Sequence, residues 1–178
     1  KCELLWVLEH NSVYTAGTSA KPKDLIDKNL FPVYRTGRGG QYTYHGPGQR
    51  VAYVMLDLRK RGRNLKAYIN MLEEWLIHTL ADFAIVGERL PGHIGVWVEC
   101  EKTSKAKIAA IGIRVRRWIT LHGISLNVNP NLSHYRGIVP CGVKKYGLTS
   151  LKDQGITTSN ALIDAALKRS FEVVFEEK

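Results

Sequence analysis

Apolar and polar positions along the chain recur with two periods, and those periods predict where helices and strands fall. Leu65, Tyr68, Ile69, Leu72, Trp75, Leu76 and Leu80 stand three and four residues apart. They place one apolar face on a helix of about five turns, with Asn64 as its N-cap. A second amphipathic helix starts near Thr157 to Asn160 and carries Leu162, Ile163, Ala166, Leu167, Phe171 and Val174 on one side. Glu3 to His10 reads as a strand and Val51 to Leu58 as a largely buried one. In the middle, Ile94 to Glu99, Lys107 to Ile113, Val115 to Thr120 and Gly123 to Val128 are short β-branched or aromatic runs broken by turn residues, and their close spacing predicts antiparallel pairing. Short helices are expected near Asp24 to Asn29 and from Thr149 to Lys152. No repeat, low-complexity tract or linker divides the pattern, so one domain over residues 1–178 is expected. The chain opens on Lys1 and enters a strand at once, which predicts that an N-terminal segment of a longer protein is missing.

Composition narrows the class without naming a function. With 44% hydrophobic and 24% charged residues in 178, the chain has ordinary globular usage and enough length for a full core. Its most apolar stretch ends at Arg59, Lys60 and Arg61, too short for a membrane span. Cys2, Cys100 and Cys141 are an odd, widely spaced set with no CxxC pair, which argues against a disulfide framework and predicts a reducing, cytoplasmic setting. The formal net charge of +10 is compatible with nucleic acid, a membrane surface or an acidic protein as partner.

Few residues look chemical. Cys141 lies between Pro140 and Gly142 in a loop, so its thiol is either a reachable nucleophile or a small apolar group in a turn. Cys100, beside Glu99 and Glu101, is a poorer nucleophile because those charges disfavour thiolate. Lys107 opens the apolar run to Ile113; either it is desolvated and able to favour a thiolate, or its ammonium reaches water at a strand end. His45 and His122 are rival partners for a thiol. Among His10, His78, His93 and His134 no HxH or HxxxH spacing supports a metal site. From Arg35 to Gln49 the chain reads RTGRGGQYTYHGPGQ, which fits neither GxGxxG nor GxxxxGK[ST]. It reads as a long turn-rich hairpin loop, or as a slot for an apolar or extended ligand in which Tyr42, Tyr44 and His45 flank exposed backbone.

Taken in order, Glu9-His10 with Val13 to Gly17, Arg38 to Gln49, Gly95 to Val98, Lys107 to Gly112, His122 to Val128 and Ile138 to Gly142 resemble the lipoyl(octanoyl) transferases. The resemblance spans almost the whole chain, and RGGxxTYHGPGQ with the Lys and PCG segments is highly specific. It implies a biotin/lipoate protein ligase-like fold of the α/β (α+β) class: a mixed, largely antiparallel sheet packed by helices. It implies transfer of an octanoyl (or lipoyl) group from acyl carrier protein to a lysine of lipoyl domains, those of 2-oxoacid dehydrogenases and of the glycine cleavage H protein. Cys141 would be the acyl-thioester nucleophile and Lys107 its activator. Arg38, Gly39, Gly40, Gln41, Tyr42, Thr43, Tyr44 and His45, with Ala110, Ile111, Gly112, Gly123, Ile124 and Ser125, would line the acyl pocket. The resemblance requires no ATP, metal or other cofactor, and neither nucleic acid nor membrane as partner. Two other functions are open: an ATP-dependent lipoate or biotin ligase, needing a nucleotide site and no cysteine, and a basic nucleic-acid-binding module built on Arg59 to Arg63.

Overall fold

The computed structural model describes residues 3–101, 103–139 and 146–176. Strands β1 (Leu4–Leu8) and β2 (Val13–Ala16) precede a helical turn at Pro22–Asp24, then β3 (Val33–Arg35), β4 (Tyr42–His45) and β5 (Gln49–Met55). A helical turn at Leu58–Arg61 leads into helix α1 (Leu65–Ala81), followed by β6 (Glu88–Leu90), β7 (His93–Cys100), β8 (Ser104–Arg116) and β9 (Ile119–Asn127). The last elements are a helical turn at Leu132–Gly137, β10 (Gly147–Leu148) and helix α2 (Asn160–Phe175).

Among the described residues the larger sheet runs β1-β5-β9-β8-β7-β6, all antiparallel, with short β10 pairing parallel to β8. A smaller sheet, β3-β2-β4, pairs β2 parallel to β3 and antiparallel to β4. The expected mixed, largely antiparallel sheet packed by helices is therefore observed. Both helices cover one face of the larger sheet, where Leu72, Trp75, Leu76, Ile163 and Leu167 form one core with Val54, Val96, Ile108 and Leu126. Two polar contacts fasten α2. The Trp75 indole N–H donates to the Leu167 carbonyl at 2.7 Å, and Arg50, 8% exposed on β5, forms a two-pronged bond to Asp164 at 3.0 and 2.7 Å. A second cluster of Tyr14, Tyr42, Tyr44, Tyr135 and Ile138 lies under the smaller sheet.

Both long helices form where their patterns place them; Asn64 caps the first as expected, accepting from the Ala67 N–H, and Ser159 caps the second by accepting from the Leu162 N–H. Leu65 and Leu162 depart from their expected places and are 45% and 60% exposed. Five elements differ from expectation. Val115 to Thr120 is not a single strand: Val115 and Arg116 end β8, Ile119 and Thr120 open β9, and between them Arg117 and Trp118 both take left-handed φ values of 51° and 65°, the twist a tight hairpin turn needs. Leu58 leaves β5 to start a helical turn that Asp57 caps by accepting from the Arg59 N–H. Near Asp24 only the turn at Pro22–Asp24 forms, and Thr149 to Lys152 is extended chain and turn, its Ser150 hydroxyl accepting from the Asp153 N–H. Tyr42–His45, expected inside a loop, is a strand whose alternation is real.

Between the pairs Trp97–Lys107 and Val96–Ala109, β8 advances two residues while β7 advances one. This bulge reverses the alternation of β8. Beyond it Ile111, Ile113 and Val115 pack on the helix side, and Lys107 shares the opposite side with Ala110 and Gly112.

Because Leu72 is wholly buried in this core, Leu72→Ala should cost about 2–5 kcal/mol of stability through lost contacts and residual cavity. Urea denaturation should show a lower midpoint with an unchanged slope.

Candidate active site

A cavity of about 440 Å³ lies between the smaller sheet and the helix-free face of the larger one. That volume is typical of a small-molecule site. One wall comes from β8 and β9: Ala110, Ile111, Gly112, Gly123, Ile124 and Ser125. The other is the segment Arg38, Gly39, Gly40 and Gln41 with Tyr42, Thr43 and His45 of β4. Arg38 fixes that segment from within. Only 8% exposed, it donates from Nη2 to the Thr15 carbonyl at 2.7 Å and from Nη1 to the Gly39 carbonyl at 2.9 Å. The Gly39 N–H in turn donates to the Ile113 carbonyl at 2.8 Å, and Gly40 turns the chain at φ +85°.

Tyr44 is a correction to the expected pocket wall. Alternation along β4 sends Thr43 and His45 toward the cavity and turns Tyr42 and Tyr44 into the second cluster, where Tyr44 is fully buried against Tyr14, Tyr135, Phe31 and His134. Tyr42 still borders the cavity; Tyr44 does not.

Beneath His45 runs a polar chain that the sequence reading missed. His45 Nδ1 lies 2.7 Å from Gln49 Oε1, while Gln49 Nε2 donates to Asn127 Oδ1 and to the Tyr135 hydroxyl, each at 2.9 Å. Asn127 Nδ2 donates to the Thr149 carbonyl at 3.0 Å. With the Gln49 amide nitrogen committed to two acceptors, its oxygen accepts from the His45 Nδ1–H, which leaves Nε2 as the acceptor of the ring. The signal was readable: Gln49 and Asn127 are polar residues at the ends of apolar strands. Desolvation lowers the His45 pKa from its ordinary value to about 4, and the bond to Gln49 only partly opposes it. The cavity is also lined by His10, whose Nε2 is 2.7 Å from the Tyr53 hydroxyl, and by His122, held at a left-handed φ of 64° with its ring against Tyr53. Burial lowers both of these pKa values as well. Alternation of Val51 and Tyr53 along β5 would have disclosed Tyr53.

Lys107 does not line the cavity itself but a small adjoining recess, which shares Thr43, Ala110 and Ser125 with it. The side chain is buried, at 6% exposure, rather than reaching water: Nζ donates to the Ile94 carbonyl at 3.0 Å and stands 4.7 Å from the centre of the Trp97 ring. Cys141 and Cys2 lie outside the described residues, and Cys100 is half-buried on β7. The chain on either side of 140–145 is anchored. The Val139 N–H donates to the Asp24 carbonyl, Leu148 pairs with Lys107, and the Thr149 N–H donates to the Lys107 carbonyl. Among the described residues no group of His, Cys, Asp and Glu could hold a metal ion, and no helix is long and apolar enough to cross a membrane.

A family profile described as the lipoyl protein ligase A/B catalytic domain matches residues 1–172. The chain belongs to this family. Relatives include proteins named Octanoyltransferase from Paramagnetospirillum magneticum, 59% identical over 173 residues covering 97% of this chain and 82% of that one, and from Bartonella henselae, 58% identical over 97% of this chain and 74% of that one. These relatives mark this member of the A/B family as an acyltransferase. The fold of the family recurs in a crystal structure of lipoate-protein ligase A bound with ATP, at a TM-score of 0.78 and 16% identity, covering 99% of this chain and 74% of that one.

A folded pKa near 4 for His45, below its unfolded value, means that the unfolded chain takes up the proton first as pH falls. Stability should therefore decline between about pH 6.5 and 4, and His45→Gln should flatten that decline. Thermal melts across this window check the slope, and an imidazole NMR titration should show His45 neutral down to about pH 4.

Proposed function

We propose that this chain moves an octanoyl group from acyl carrier protein to a lysine of lipoyl domains through a thioester on Cys141. The cavity supports this most directly: its glycine backbone and apolar side chains suit an unbranched acyl chain, and it shares Thr43, Ala110 and Ser125 with the recess of a buried lysine. In the first step the Cys141 thiolate attacks the carrier thioester, the acyl–sulfur bond to the carrier breaks, and the carrier thiolate takes up a proton. In the second the acceptor lysine amine attacks the acyl-enzyme, the new amide forms, and the amine proton returns to the Cys141 sulfur. Thioester exchange is nearly balanced and amide formation is downhill, so neither step needs ATP. In this reading Lys107 supplies the cation and the proton-transfer group that favour the thiolate. Arg38 to Thr43 and His45, with Ala110 to Gly112 and Gly123 to Ser125, hold the acyl chain. The domain over residues 1–178 acts in the cytoplasm in this reading, with the 2-oxoacid dehydrogenases and the glycine cleavage H protein as sources of acceptor.

Incubation with octanoyl-carrier protein should leave one octanoyl group on the wild type and none on Cys141→Ala, as read by intact mass. An adduct on another cysteine overturns the assignment, and activity that needs ATP but not Cys141 identifies a ligase instead. Lys107→Ala should slow thioester formation at neutral pH and recover part of the rate as pH rises. Alkylation by iodoacetamide at the wild-type rate would make Lys107 structural.

The basic surface fits the same reading as a docking site for acidic carriers. The Arg114 guanidinium lies over Gly37 beside the cavity loop, whereas Arg116 and Arg117 sit at the hairpin tip; Lys144 and Lys145 lie outside the described residues. Raising salt to several hundred millimolar should lower kcat/KM for carrier-bound octanoate much more than for a small uncharged octanoyl thioester. Equal sensitivity would show that the charges do not guide docking.

A further inference from the structure

The carbonyl that receives the Lys107 ammonium belongs to the peptide between Ile94 and Gly95, and the other end of that peptide is held as firmly. The Gly95 N–H donates to Glu73 Oε1 at 3.1 Å. Glu73 comes from the middle of α1 and is 6% exposed; its second oxygen accepts from Arg89 Nε at 3.2 Å, and Arg89 is tied in turn to the Asn70 carbonyl and to Glu74. One peptide thus lies between a buried carboxylate at its N–H and a buried ammonium at its C=O. Each charge polarises the amide in the sense that strengthens the bond to the other.

The backbone is built for this arrangement. Gly95 has φ +120°, and a Cβ there would stand 2.6 Å from the Ala109 carbonyl oxygen and 3.3 Å from Lys107 Cε. Only glycine lets the peptide approach so closely. The β8 bulge sets Lys107 opposite Trp97, which supplies the ring beside the ammonium. Among the described residues the other groups facing this cluster are Arg89 on β6 behind Glu73, and His93 and Tyr146, whose rings pack on Trp97.

We propose that Glu73 is a positioning residue for acyl transfer, acting through the Ile94–Gly95 peptide to fix the place and the charge environment of Lys107 Nζ. The inference rests on the reading of Lys107 as the group that activates the thiol. A carboxylate that merely joined α1 to β7 would affect stability alone.

The test compares wild type, Glu73→Gln, Lys107→Ala and the double variant, measuring melting temperature and the rate of octanoyl-enzyme formation from mildly acidic to alkaline pH. Glu73→Gln keeps an acceptor for the Gly95 N–H but removes the charge. It should melt within a few degrees of wild type, form the thioester about tenfold more slowly at neutral pH, and regain rate at higher pH; partners that orient metal-bound ligands show losses of that order when removed. In the Lys107→Ala background it should change nothing further. A Glu73→Gln profile that superimposes on wild type, or an equal fall in both backgrounds, overturns the proposal. A wild-type profile for Lys107→Ala overturns the reading of Lys107 instead, so the two failures are distinct. If Glu73→Gln does not fold, Glu73→Asp keeps the charge but withdraws it from Gly95: a displaced profile supports positioning and an unchanged one refutes it.

Discussion

Where β8 gains one residue on β7, the chain solves a conflict between a core and a site. Strict alternation from Lys107 would have set the lysine on the same side as Ala109, Ile111 and Ile113, facing the helices. The bulge between Trp97–Lys107 and Val96–Ala109 separates them, so Ile108 and Ala109 both enter the core while Lys107 joins Ala110 and Gly112 on the helix-free side. Arg50, Trp75 and the apolar faces of α1 and α2 then hold the sheet rigid from behind. A cavity on the opposite face inherits that rigidity without contributing to it.

At the site Arg38, His45, Gln49 and Asn127 are each oriented by a hydrogen-bond partner. Arg38 is spent on backbone carbonyls and Thr15, so it shapes the glycine segment rather than offering a free charge. His45 is fixed by Gln49, Gln49 by Asn127 and Tyr135, and Asn127 by Thr149 next to β10. This chain links the cavity wall to Thr149, beside β10.

Sequence periodicity disclosed the two helices because Tyr68 to Leu80 and Ile163 to Phe171 each bury a single face, Asn64 was legible as the cap of the first, and the segments of the family resemblance contain most of the residues that line the cavity. Tyr44 was misplaced because a glycine-rich run hides the two-residue alternation of β4. The hairpin at Arg117 and Trp118 was read as strand because neither residue announces a left-handed turn, as glycine or asparagine would. Glu73 was invisible for a different reason: on a helix a glutamate reads as solvated, and only the tertiary approach of Gly95 shows that it is buried.

Because the helices cover one face only, the two faces of the sheet answer to separate demands. Residues such as Val54, Val96 and Leu126 answer to packing, and Ala110, Gly112 and Ser125 answer to whatever fills the cavity. A lineage can therefore alter its substrate in small steps on one side without first unsettling the scaffold on the other. The same backbone at 16% identity, in a ligase bound with ATP, shows how far apart two sequences with this architecture can stand.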